Sequence, residues 1–212
     1  MESILSDSFL NMVKIYKSML QIFYPARDGT GFTESNQVHI YVNSLIESLD
    51  DSSAVFWLEF PWENKKHHID AFVYSPRYKS VFYIEAKRLS ISKKKGQIIN
   101  DITRIVKADR SFLKEYSIEN FENEYVIALA DVWLETKWKK SIPEWWCGFD
   151  RVPEQLFGWE AKQSDNLVKP SSVLDNELTV TNWSTACKHA YWLGEVCGKV
   201  PNYCVLMASQ KI

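Results

Sequence analysis

Glu-x-Lys triplets occur four times in this chain, as Glu63-Asn64-Lys65, Glu85-Ala86-Lys87, Glu135-Thr136-Lys137 and Glu160-Ala161-Lys162. A glutamate and a lysine two residues apart do chemistry only with a second carboxylate beside them. Together the three side chains can converge on a divalent ion and a phosphate. Glu85-Ala86-Lys87 alone meets that demand, because it ends an apolar run, residues 81–86, whose predecessor carries an acid, His68-Ile69-Asp70-Ala71-Phe72-Val73. Strand alternation puts Glu85 and Lys87 on one face and Ala86 on the other. Hard oxygen donors of this kind suit magnesium, which keeps several waters and acidifies one of them. A lysine beside a reacting phosphate stabilises developing charge. Burying an acid among Ile69, Ala71, Phe72 and Val73 is costly without a partner or a metal. The competing reading makes Asp70 a turn-end acid and Glu85 and Lys87 an exposed pair on an edge strand. Glu63, Glu135 and Glu160 read as surface charges, with Pro153 and Gly158 interrupting any strand that would bring Asp150 to Glu160.

The positioning elements follow from periodicity. Residues 4–23 place apolar side chains at helical spacing, and Arg27-Asp28-Gly29-Thr30-Gly31 reads as a loop after Tyr24-Pro25. A second helix is expected over 33–49, with Thr33 as its N-cap and Val38, Tyr41, Val42, Leu45 and Leu49 as its buried stripe. Glu34 falls on that stripe, whereas Glu47 falls on the solvated face. Residues 54–60, 67–74 and 81–86 read as an antiparallel meander. A long helix over 96–116 and a buried strand over 125–133 come next, and the end reads as a helix over 183–198 and a strand over 203–207. Between 134 and 181 periodicity fades into an irregular, Trp-rich excursion holding Trp138, Trp145, Trp146 and Trp159. These tryptophans and Lys137, Lys139 and Lys140 read as core or partner contacts ahead of a stacking surface for unpaired bases.

This arrangement, Glu34 on a helix, then a meander bearing Asp70 and Glu85-Ala86-Lys87, then a helix and a further strand, resembles the PD-(D/E)XK nuclease superfamily over roughly residues 34–133. Ile69 stands where the family's proline precedes the aspartate. The resemblance implies an α/β fold with a restriction endonuclease-like core, a central mixed sheet flanked by helices. It implies that Asp70 and Glu85 bind Mg²⁺ or Mn²⁺, that the Ala86 carbonyl completes the site, and that Glu34 holds a metal-bound water. Lys87 would orient or deprotonate the attacking water, and Gln97 would face the site or DNA.

Composition sets the frame. The 212 residues carry a net charge of -2, with 46% hydrophobic and 25% charged residues, as expected for one soluble domain. Binding nucleic acid by global basicity is excluded, so any contact must be local. From Lys87 to Lys114 nine basic residues (Lys87, Arg88, Lys93, Lys94, Lys95, Arg104, Lys107, Arg110, Lys114) face two acids, Asp101 and Asp109. Arg88, Lys93, Lys94, Lys95, Gln97 and Arg104 are the expected nucleic-acid contacts, with a solvated helix face as the alternative. His67 and His68 read as surface or packing residues. The widely spaced Cys147, Cys187, Cys197 and Cys204 read as reduced thiols, not zinc or iron–sulfur ligands. No signal or membrane segment is apparent, so a cytoplasmic protein is expected. It would cleave DNA with Mg²⁺, alone, as a homodimer or as a subunit of a larger system. The alternatives are an inactive nuclease-like module that binds nucleic acid or protein, and a regulatory protein whose basic patch binds an acidic partner.

Overall fold

A computed structural model describes residues 1–22, 32–62, 67–134, 136–148, 173–178, 187–193 and 203–212. The Arg27 to Gly31 loop, Glu63, Glu135, Glu160, Pro153, Gly158, Trp159 and Cys197 lie outside the described residues. Helices α1 (Glu2–Ile22) and α2 (Glu34–Leu49) precede strands β1 (Val55–Trp62), β2 (His67–Ser75) and β3 (Ser80–Arg88). Helix α3 (Lys93–Lys107), a 3-10 turn (Ser111–Tyr116) and β4 (Asn123–Trp133) follow. Short helices α4 (Lys137–Lys140), α5 (Ile142–Cys147) and α6 (Leu174–Glu177) lead to β5 (Cys187–Trp192) and β6 (Tyr203–Lys211).

The six strands form one mixed sheet in the order β1-β2-β3-β4-β6-β5. β1 to β3 form the expected antiparallel meander, and α3 carries the chain across so that β4 lies parallel to β3. Two apolar layers enclose the sheet. On one face α1 and α2 bury Phe9, Tyr16, Tyr41 and Leu45 over Val73, Ile84, Ala86 and Leu129. On the other, Ile98, Ile102 and Ile105 of α3 and Trp145 and Trp146 of α5 cover Phe72, Tyr83, Val126 and Ala128. Among the described residues no helix is long and apolar enough to cross a membrane.

Local chemistry explains the boundaries. Thr33 caps α2, its hydroxyl accepting from the Asn36 amide at 3.2 Å. At the far end Asp51 accepts from the Ser53 amide and hydroxyl and from the Ser75 hydroxyl and Arg77 amide, tying α2 to the β2–β3 turn.

Three expectations need correction. The helix placed over 96–116 is two pieces. It starts at Lys93 and stops at Lys107, because Asp109 takes the Ser111 amide at 3.1 Å and Arg110 donates to the carbonyls of Ile105 and Ala108. The helix expected over 183–198 is a strand where it is described, since Cys187–Trp192 pairs with β6. Its apolar residues fit a helical stripe equally well, and pairing with β6 decided the outcome. Finally, the excursion is not wholly irregular. Trp145 and Trp146 are fully buried on α5, with the Trp146 indole donating to the Met207 carbonyl at 3.0 Å.

Candidate functional site

The candidate site lies where two strands part. The β2–β3 ladder runs from Ser75–Ser80 to Ala71–Ile84 and ends there. Beyond that point β2 stays with β1 as far as the Trp62–His67 pair, while β3 stays with β4 as far as Arg88–Asp131. Glu59 of β1, between the Leu58–Ala71 and Phe60–Ile69 pairs, has left-handed backbone (φ 52°) across from Asp70. Strain of this kind is uncommon in a strand and marks the place where β2 turns away.

Parting leaves the β2-facing amides of β3 without ladder partners, and side chains take them. Asp70 Oδ2 accepts from the Ala86 amide at 2.7 Å, and Glu34 Oε1 accepts from the Arg88 amide at 2.9 Å. In a strand the N–H and C=O of one residue point the same way, so the Ala86 carbonyl also faces the gap. The structure therefore gathers Asp70, Glu34 and the Ala86 backbone from three elements. Glu47 is exposed on the opposite side of α2, as helical phase requires.

Glu85 and Lys87 project from β3 toward α3. Glu85 is only 2% exposed, and burial, then the nearby Asp70 and Asp101, push its carboxyl up to about 8 against the pull of Lys87 and Arg104. Burial would lower Lys87, but Glu85, Asp70 and Asp101 outweigh it and keep the amine firmly protonated. Four side chains close a ring. Lys87 Nζ lies 3.5 Å from Glu85 Oε2 and 3.0 Å from Asp101 Oδ2. Arg104 lies 2.7 Å from Glu85 Oε1 and 3.5 Å from Asp101 Oδ1.

The six expected nucleic-acid contacts separate. Arg88 turns to the other face and pairs with Asp131 at 3.1 Å, where the Tyr203 hydroxyl also donates at 2.6 Å. Lys94 reaches Glu34 at 3.4 Å, and Lys95 sits 4.5 Å from the centre of the Trp145 ring. Arg104 is in the ring just described. Gln97 has a buried side-chain oxygen with no hydrogen-bond partner among the described residues, and Lys93 is exposed in the first turn of α3. His67 and His68 are exposed at the start of β2.

Asp101 and Asp131 were not singled out by the sequence reading. Asp101 passed as a minor acid in a basic run, although its position three residues after Ile98 and one before Ile102 puts it beside the buried stripe. Asp131 sits inside an apolar strand, the same signal that exposed Asp70.

Among the described residues no group of three or more His, Cys, Asp or Glu side chains is gathered closely enough to hold a metal by itself. A magnesium-type ion does not require one, since it binds through one or two carboxylates and keeps waters. Asp70 and Glu85 repel each other, and the Ala86 carbonyl faces the same gap, so the donor set fits a hard divalent cation. Compared with known proteins, the chain matches no protein-family model, no curated protein and no solved structure.

Proposed function

We propose that the protein is a Mg²⁺- or Mn²⁺-dependent nuclease that hydrolyses phosphodiester bonds in DNA, built on a restriction endonuclease-like core of the PD-(D/E)XK type. The observation that carries this reading is the parting of β2 from β3, which brings Asp70, Glu85 and the Ala86 backbone to one gap with Lys87 beside them. The order of an antiparallel meander, a crossover helix and a parallel strand supports the core assignment.

The bound ion would supply Lewis acidity and an acidified water. Asp70 and Glu85 are the residues to hold it, with the Ala86 carbonyl and the waters it retains. Asp70 is oriented for this by the Ala86 amide, and Glu34, fixed on the Arg88 amide, can hold a water at the rim. Lys87 is held as the ammonium by Glu85 and Asp101 before an ion binds, which suits it to orient and neutralise charge on a phosphate oxygen. The start of α3 supports an anionic substrate. It has no acid in its first turn and no side-chain cap, and carries Lys93, Lys94 and Lys95 where the helix dipole disfavours cations. A phosphate backbone would relieve that conflict.

One observation favours a second reading, a nuclease-like module that binds without turnover: Glu85, Lys87, Asp101 and Arg104 already pair with one another in a closed ring. Plasmid incubated with Mn²⁺ separates the two. Cleavage by the parent, its loss in Asp70→Ala and Glu85→Ala, and a single-turnover rate at least about a hundredfold lower in Lys87→Ala are expected. Retention of DNA without metal-dependent cleavage in the parent would leave the binding module.

A further inference from the structure

We propose that Arg104 is a resident counter-cation of the site, displaced from Glu85 when a divalent ion binds there and thereby turned toward a substrate phosphate. This rests on the metal-dependent reading above and adds a regulation of the same site by one of its own side chains.

The grip of Arg104 on Glu85 is incomplete in a specific way. A single terminal nitrogen makes all its polar contacts among the described residues, at 2.7 Å to Glu85 Oε1, 3.4 Å to the His68 carbonyl and 3.5 Å to Asp101 Oδ1. The Nε–H is enclosed and has no hydrogen-bond partner among the described residues. Arginine holding a carboxylate permanently tends to use two parallel donors, which adds both strength and direction. Here a one-point contact leaves a buried donor idle, and an unmet buried donor is costly. An arrangement that satisfies the Nε–H recovers that cost. A phosphate oxygen supplies the acceptor.

Position in the ring indicates which cation leaves. Glu85 and Asp101 each lie against both Lys87 and Arg104. A divalent ion between Asp70 and Glu85 would meet two cations at the same carboxylate, and like charges at such distances repel strongly in a shielded site. Lys87 is the more enclosed, with its side chain 14% exposed and its ammonium 3.0 Å from Asp101. Arg104 is 26% exposed and stands on a helix, already 3.5 Å from Asp101, which stays beside it when Glu85 is given up. Bridging the β2 carbonyl of His68 and the β3 carboxylate of Glu85, it also spans the opening between the two strands, so its departure opens the gap from that side.

Titrating Mn²⁺ into protein without nucleic acid, and following free Mn²⁺ by electron paramagnetic resonance, tests the exchange without reference to activity. Arg104→Gln is expected to bind Mn²⁺ about tenfold more tightly than the parent, in the usual range for coupled sites. Arg104→Lys, which keeps the charge but cannot span both contacts, should fall between them. Lys87→Gln controls for the loss of one positive charge and should change affinity far less than Arg104→Gln. Equal gains in Lys87→Gln and Arg104→Gln, or no gain in Arg104→Gln, would overturn the exchange and leave the metal site standing. Absence of Mn²⁺ binding in both parent and Arg104→Gln would remove the metal site and the exchange together. If Arg104→Gln fails to fold, the Arg104 ¹⁵Nε–H resonance of the parent, assigned by its loss in Arg104→Lys, decides: it shifts on saturation with Mg²⁺ under exchange and stays in place under a static pair.

Discussion

Glu85 concentrates the energetic conflict of the site, because a carboxyl that is 2% exposed is enclosed with two other acids in reach. Its carboxyl is pushed up to about 8, mainly by burial and then by Asp70 and Asp101, whereas in an unfolded chain a glutamate titrates near about 4.3. Between these values the native state keeps a proton that the unfolded state has released. Metal-free stability is therefore full below the unfolded value and declines as pH rises through about 8. Glu85→Gln stays neutral throughout and should lack that part of the decline. Urea unfolding in a chelator from acid to mildly alkaline pH measures it, and an unchanged slope in Glu85→Gln would show that another group carries the dependence. Mn²⁺ should act in the opposite sense, raising the melting temperature more as pH increases, since the ion needs the ionised carboxylate. Asp70, Glu85 and Lys87 were legible in the sequence because alternation and the cost of a buried acid both single them out. Asp101 was not, because helical phase places it only beside the buried stripe of α3, and its partners on β3 depend on how the two elements pack.

Helix α2 delivers Glu34, and helical phase alone distinguished it from Glu47. Glu34 holds the Arg88 amide at 2.9 Å, while Glu47 is exposed on the other side. On the proposed nuclease reading, Glu34→Ala should accordingly lose much of the cleavage rate, on the order of tenfold or more as for other orienting groups, and Glu47→Ala should match the parent. Comparable losses in both would contradict an α2 that turns Glu34 to the sheet and Glu47 to solvent. Helix α3 requires a more differentiated prediction for its three lysines. Lys95 is engaged with the Trp145 ring and Lys94 with Glu34, so Lys93 is the one of the three whose charge faces solvent. Lys93→Ala should reduce the salt dependence of DNA binding by roughly one counterion. Lys95→Ala should chiefly lower stability through the lost contact with Trp145. Salt titrations of binding, paired with thermal melts, separate the two effects. None of this engagement was visible in the sequence, where the run reads as a uniform basic patch. The same limitation explains β5: a segment whose apolar residues suit either period adopts the one its neighbour in the sheet imposes.

At the scale of the molecule, the sheet must hold β3 in place while β2 leaves it, and the buried polar link on the opposite face helps to do so. Arg88 at the end of β3, Asp131 on β4 and Tyr203 on β6 join three adjacent strands. Burial raises the Asp131 carboxyl above its usual range, and Arg88 and Tyr203 draw it back only in part. Asp131→Ala would leave the Arg88 guanidinium, 13% exposed, without its carboxylate. Breaking such a pair costs about 3–5 kcal/mol, read as a fall in the urea midpoint. A change within error would mean that Arg88 finds another acceptor. The α/β layering and the β1 to β3 meander were legible because short turns separate strand-like apolar runs and the helices show one apolar stripe each, whereas the pairing of β4 with β3 was not. The contribution of β5 and β6 to the far edge was only partly so, since its pairing spans long separations in sequence.

The parting of the strands also creates an unusual pair of backbone protons. The amides of Ala86 and Arg88 lie in the middle of a six-stranded sheet, yet carboxylate side chains, and not a neighbouring strand, shield them. Their isotope exchange with solvent is thus governed by the rotamers of two acids, and can proceed without the sheet opening. Deuterium uptake at Arg88 should quicken in Glu34→Ala while Ile84, inside the intact ladder, keeps its protection. These two protons would then report, residue by residue, when either acid leaves its post.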